Sequence, residues 1–241
     1  FPLEIKVMKL LKQFDWRVIP QHYYVDPDEE KGRSLDFYCI KRVEVHSSYV
    51  DALRFVLLIE CKKTAENWVF FVTSNSLLDE KMKLIEFLPT MHIKFKKPGF
   101  PLIEAFRHSH YMDYKKVAIN HYVPFKKKSE KDGKDSFYEA CQQVLKALID
   151  DRRYFERPEI PKPDLCSFYY PIIITDNPIF EYDIETDKIS RKNRILYSRE
   201  GVSRWLEPFL IDVSRFEATH NLLKEINNEM QKISEYFKQF T

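Results

Sequence analysis

The stretch Phe55-Val56-Leu57-Leu58-Ile59-Glu60-Cys61-Lys62-Lys63 decides how this chain is read. Its first five residues are apolar and two of them are β-branched, which predicts a strand buried on both faces. The character then flips to acid, thiol, base and base. Alternation along a strand puts Glu60 and Lys62 on one face and Cys61 on the other. Upstream, residues 33–45 have the β-branched and aromatic content of a second strand. Between the two, His46-Ser47-Ser48-Tyr49-Val50-Asp51 has the composition of a connection. An antiparallel hairpin centred near Ser48 sets Asp36 opposite Glu60, each 12 residues from the centre. Paired strands lie about 5 Å apart. Two carboxylates that close repel unless a proton or a cation sits between them. A hard divalent cation such as Mg²⁺ suits oxygen ligands and leaves room for waters and a phosphate.

Asp36 followed by Glu60-x-Lys62 resembles the PD-(D/E)XK nuclease superfamily, which includes restriction endonucleases and archaeal Holliday-junction resolvases. The likeness covers residues 1–63 and, more loosely, about 137–180. Leu35 stands where the family name has proline. The resemblance implies a Mg²⁺-dependent deoxyribonuclease, with Mn²⁺ expected to substitute. Asp36 and Glu60 would hold the metal, helped by the backbone carbonyl of Cys61. Lys62 would orient the attacking water and stabilise charge on the phosphate. The resemblance also implies Glu4 as a further acidic residue near the metal. Gln142 or Gln143, on the helix after the ExK strand, would contact the water or a phosphate, and Gln143 is taken as the site residue. Read from the residues alone, Glu4 is a helix-dipole carboxylate and the glutamines are exposed helix positions.

The chain has 241 residues, enough for a full core in one elaborated domain or two small ones. Its 32% charged and 44% hydrophobic content is ordinary for a globular protein. Four glycines, with neither a Walker A nor a GxGxxG sequence, argue against a Gly-rich phosphate loop. No apolar run approaches the roughly 18 residues of a membrane span, so no membrane partner is expected. The four cysteines, Cys39, Cys61, Cys141 and Cys166, form no CxxC pair, as for reduced thiols in an intracellular (cytoplasmic or nucleoid-associated) protein.

In chain order, residues 2–14 predict a helix with Leu3, Val7, Leu10, Leu11 and Phe14 in one stripe. Residues 17–25 predict a strand and 76–88 a helix. From Met91 to Lys134 there are 11 Lys or Arg against 4 Asp or Glu, whereas the whole chain carries only +2. Basic residues interleaved with aromatics there suit DNA, or RNA, as a partner. Lys94, Lys96, Lys97, Lys115 and Lys116 are the expected contacts. Lys126 to Lys134 reads as a solvated insertion, and His108-x-His110 lacks the further ligands of a metal site. Residues 136–149 predict a helix capped by Ser136. Residues 169–175 predict a buried strand parallel to its neighbour, and 179–183 with 188–197 a hairpin. The last helix, about 215–240, repeats Ile226, Met230, Ile233, Phe237 and Phe240 in a heptad-like seam. That seam packs on its own domain or, in the sharper reading, makes a homodimer.

The expected architecture is therefore α/β, a restriction-endonuclease-like αβββαβ core with a central mixed sheet in a single elaborated domain. The core comprises residues 1–63 and 136–180, with a basic insertion over 64–135 and a C-terminal extension over 181–241 ending in the long helix. The expected activity is metal-dependent DNA hydrolysis. The alternatives are a nuclease-like module that binds nucleic acid or a partner without cutting, and an RNA-cleaving enzyme on the same scaffold.

Overall fold

The computed structural model describes residues 2–63, 67–74, 91–99, 101–123, 135–156, 164–199 and 209–241. The expected helix at 76–88, the basic run Lys126 to Lys134 and the prolines at 158, 161 and 163 lie outside the described residues. The elements run α1 (Pro2–Gln13), β1 (Arg17–Val25), β2 (Gly32–Glu44), β3 (Ala52–Lys62), β4 (Trp68–Ser74), β5 (Met91–Ile93) and α2 (Leu102–Phe106). A 3₁₀ turn (His110–Asp113), β6 (Lys116–Tyr122), α3 (Ser136–Glu156), β7 (Leu165–Thr175) and β8 (Ile179–Asp183) follow. The chain closes with β9 (Lys188–Lys192), β10 (Arg194–Arg199), β11 (Phe209–Arg215) and α4 (Phe216–Lys238). The fold is mixed α/β. One sheet holds β1-β2-β3-β7-β11-β10-β6-β4-β8-β9 in that order, with β5 added on β7. The strands of residues 64–135 and 181–241 thus extend the sheet that β1 to β3 begin.

β3 occupies a central place because its sequence tolerates no exposed face. All its residues from Ala52 to Cys61 are buried. It pairs antiparallel with β2, Phe37 facing Ile59, which is the register of a symmetric hairpin about Ser48. On its other side it pairs parallel with β7 from Ala52↔Leu165 to Lys62↔Thr175, as expected for a strand that returns through a helix. Helices cover both faces. Leu3, Val7, Leu10 and Leu11 of α1 and Leu222, Ile226, Ile233 and Phe237 of α4 pack with Phe55, Leu57 and Ile59. Phe137, Cys141, Val144 and Leu148 of α3 pack with Val56, Leu58, Tyr169 and Ile173 on the opposite face.

One alternative is decided and two expectations change. The heptad-like seam of α4 is consumed inside the chain: Ile226, Met230, Ile233 and Phe237 are all core residues, so this seam is not open to a homodimer. The N-cap of α3 is Asp135, whose Oδ1 accepts from the N–H groups of Phe137 and Tyr138 at 3.0 and 2.9 Å. A carboxylate is also favoured there by the helix dipole, whereas the Ser136 hydroxyl is buried. Residues 188–197 divide at Asn193 into two strands. β9 stays with β8, but β10 crosses to β11 and β6. Asn193 is held there by Arg215, whose N–H and guanidinium donate to its carbonyl and side-chain oxygens. Among the described residues no helix is long and apolar enough to cross a membrane.

Two buried polar networks tie these layers together. Arg54, the first polar residue of β3, pairs with Asp151 of α3 at 2.6 Å. Tyr38 and Tyr169 each donate to Asp151, also at 2.6 Å, and Arg54 stacks over Phe155. Removing one member of a buried ion pair strands the other charge. Asp151→Asn is therefore expected to destabilise the fold by about 3 kcal/mol, read as a lower urea midpoint.

The second network is centred on His110, fully enclosed between Glu229 of α4 (Nδ1, 2.6 Å) and Asp212 of β11 (Nε2, 2.9 Å). Tyr170 donates to Glu229, and Tyr114 to Asp212, while Arg194 donates to the Tyr114 hydroxyl and Tyr111 stacks on the imidazole. His108 instead lies edge-on to Tyr236, so the two histidines share no ligand position. Burial alone would lower the His110 imidazole, but Asp212 and Glu229 outweigh it and raise it to about 10. The resulting stability is complete below the ordinary imidazole value and is lost as pH rises toward the folded one. Urea midpoints are expected to fall between about pH 7 and about pH 9.5 in the wild type and to flatten in His110→Gln.

Candidate active site

Asp36 lies where β1 and β2 depart from regular pairing. The ladder runs from Arg17↔Ile40 to Pro20↔Phe37 and resumes at His22↔Leu35, omitting Gln21 and Asp36. Gln21 has φ of 51°, in the left-handed region that a non-glycine residue adopts at a cost. Leu35 packs toward α3 while Phe37 packs toward α1 and α4. The strand is thus wrung at Asp36, and its carboxylate turns to the end of β3. Asp36 Oδ2 accepts the Cys61 N–H at 2.8 Å, and the Asp36 N–H faces Glu60 Oε2 at 3.4 Å. Lys62 Nζ meets Glu60 Oε1 at 2.9 Å and donates to Gln143 Oε1 at 2.8 Å.

Burial governs the electrostatics. It raises Asp36, with the Glu4 charge acting in the same direction and the Cys61 N–H and Lys62 opposing. Burial pushes Glu60 up to about 7, Lys62 opposing and Asp36 adding to the rise. Glu4, in the first turn of α1, therefore belongs to the same field as Asp36. The Cys61 thiol is buried and raised above its ordinary range, chiefly by burial, so it is no nucleophile at neutral pH. Among the described residues no group of three or more His, Cys, Asp or Glu is arranged to hold a metal. The donor set is narrower: two converging carboxylates whose charged forms burial disfavours. Carboxylate oxygens are the donor type that hard cations take.

Lys62 and Gln143 open onto a cleft with a volume of ≈ 470 Å³, also lined by Tyr24, Arg33, Gln142 and Lys146. The cations Arg33 and Lys146 are held by the β1–β2 turn. Lys146 contacts both Asp26 oxygens at 2.9 Å, and Arg33 meets Glu29 at 2.9 Å. Arg33 and Lys146 were not legible as cleft residues. The signal for Lys146 was its position one helical turn beyond Gln142 and Gln143. His22 stacks on Tyr38 at 4.2 Å and is lowered by burial, a structural role.

The expected nucleic-acid lysines divide into two groups. Lys94, Lys96 and Lys97 do not join the trio. The Lys94 N–H donates to Leu165 at the start of β7, whereas Lys62 pairs with Thr175 at its end. Ten residue steps of strand separate these levels by about 33 Å. Lys96 is paired with Asp51 at 2.5 Å, Lys94 with Asp164 at 3.6 Å, and Lys97 sits over the Tyr49 ring. The cause is β5, which runs antiparallel to β7 and delivers residues 94–97 to the hairpin-turn end of the sheet. Lys115 and Lys116 stand at the trio's end of the sheet, on the far side of β10.

No protein-family model, curated protein or solved structure matches this chain. Lys62 is paired with Glu60 at 2.9 Å. Lys62→Met is expected to destabilise the protein by about 2 kcal/mol at neutral pH by leaving Glu60 buried without its partner, measured by urea unfolding.

Proposed function

We propose that the chain is a metal-dependent endonuclease of the PD-(D/E)XK kind that hydrolyses DNA phosphodiester bonds. In this reading α1, β1, β2, β3, α3 and β7 form its restriction-endonuclease-like core. The observation that carries the reading is the meeting of Asp36, Glu60 and Lys62 at one strand end, with Gln143 on the Lys62 ammonium. Asp36 and Glu60, with the Cys61 carbonyl, are the residues that would hold Mg²⁺ or Mn²⁺. A cation bound there supplies Lewis acidity toward the phosphate and lowers the pKa of water. Lys62 orients the attacking water by hydrogen bonding. It also presents positive charge where negative charge grows on the phosphate oxygens. Gln143 limits the swing of that ammonium, which matters because a small misplacement of a catalytic group costs rate steeply. By the same resemblance, the products carry 5′-phosphate and 3′-hydroxyl ends.

One contact favours a second reading, a nuclease-like module that binds nucleic acid without cutting. Glu60 Oε1 is taken by Lys62, so a cation must share or displace that ion pair. Incubating supercoiled plasmid, single-stranded DNA, branched DNA and RNA with Mg²⁺ or Mn²⁺ separates the readings. Metal-dependent cutting of DNA is expected, reduced by about 100-fold or more in Lys62→Ala. DNA binding without cutting would favour the binding module, and preference for RNA the RNA-cleaving enzyme. Equal cutting by both proteins would overturn the assignment of the trio.

A further inference from the structure

The register of the sheet aligns the trio with a second basic site. Glu60 pairs with Ile173, Ile173 with Val213, and Val213 with Ile195. Ala118 of β6 faces Tyr197 in parallel, so Lys116 falls level with Ile195 and hence with Glu60. Alternation also puts Lys116 on the face of Ala118, the α3 side, which is the face of Glu60 and Lys62. Four inter-strand steps separate β3 from β6, about 19 Å at the usual strand spacing.

At that point lies a pocket with a volume of ≈ 280 Å³ lined by Lys115, Lys116, Lys192 and Arg194, with Glu181 as its acid. The cations differ in their commitments. Lys116 is held by Asp183 at 2.8 Å and Glu181 at 3.3 Å, and Arg194 by Glu225 at 2.7 Å. Lys192 lies 3.5 Å from Glu181 with its side chain 40% exposed, and Lys115 is exposed. Lys116 and Arg194 are committed to carboxylates, and the less committed Lys115 and Lys192 are the cations able to turn toward an anion. Phosphate contacts of this kind position a nucleic acid without reading its sequence.

We propose that this pocket clamps the phosphodiester backbone of the nucleic acid whose cleavage is assigned to Lys62. The proposal deepens that nuclease reading and rests on it for the identity of the ligand. A separation of about 19 Å corresponds to about five or six base pairs of duplex axis at 3.4 Å per step. The clamp therefore engages the substrate well to one side of the cut.

The test is fluorescence anisotropy of a labelled 20-base-pair duplex, roughly three to four times that span, in Ca²⁺ and at several salt concentrations. Lys115→Ala/Lys192→Ala is compared with wild type and with Lys94→Ala/Lys97→Ala at the opposite end of the sheet. All four positions are exposed or rim residues, and an unchanged thermal midpoint checks the fold. The pocket variant is expected to bind about tenfold more weakly, with a salt slope shallower by about 2, while the control binds as wild type. Equal loss in both variants, no loss in the pocket variant, or no duplex binding by the wild type would overturn the clamp. The two ideas fail separately. Wild-type-like binding by the pocket variant alongside cutting that needs Lys62 removes the clamp alone. Weakened binding in a protein that never cuts removes the nuclease reading alone.

Discussion

The structure depends on the burial of β3 between two neighbours of opposite direction. A strand with ten consecutive buried residues, Ala52 to Cys61, needs a sheet on both edges and a layer on both faces. β2 supplies one edge through a short turn, and β7 supplies the other after a long excursion and a helix. The same burial gives Glu60 its character. A carboxylate at the end of such a strand loses water before it gains a cation, and its affinity for a proton rises with the desolvation. Asp36 lies beside it because the hairpin register leaves it no other place.

α3 turns this sheet into a site. Its 21 residues span about 31 Å, and it meets the sheet at widely separated points. Phe137 packs on Trp68, Phe70 and Tyr197, Gln143 reaches Lys62, Lys146 reaches Asp26, and Asp151 closes the network around Arg54. The buried ion pair at Arg54 contributes little net stability compared with apolar packing. Its geometry nevertheless sets the rotation and height of the helix, and with them the position of Gln143. On the opposite face His110 does similar work, joining the segment after α2 to β11 and α4 through two carboxylates.

Charge is distributed with little net excess but with strong local sorting. Acidic side chains of the β1–β2 turn hold Arg33 and Lys146 at the cleft, and Glu181 and Asp183 hold Lys116 and Lys192 on the far wing. The cations at both places are therefore positioned by neighbouring carboxylates. Surface pairs of this kind contribute little to stability; their consequence is to fix where positive charge can be offered.

The amino-acid sequence by itself determined the local features. Hydrophobic periodicity marked α1, α3 and α4, the continuous apolar run marked β3, and the turn composition near Ser48 set the hairpin register that pairs Asp36 with Glu60. Those are short-range consequences of alternation and chain reversal, and they survive without knowledge of anything distant. Tertiary structure alone decided the rest. The seam of α4 reads either as packing on its own domain or as a dimer interface, and the core of the same chain decides for the first. Lys94, Lys96 and Lys97 read only as nucleic-acid contacts of a basic segment, and it is the antiparallel pairing of β5 with β7 that sets them at the end of the sheet away from Lys62. The division at Asn193, the enclosure of His110 and the alignment of Lys116 with Glu60 all depend on which strand lies beside which. Residue spacing carries no record of that, because non-local strand pairing is chosen by the fit of whole faces.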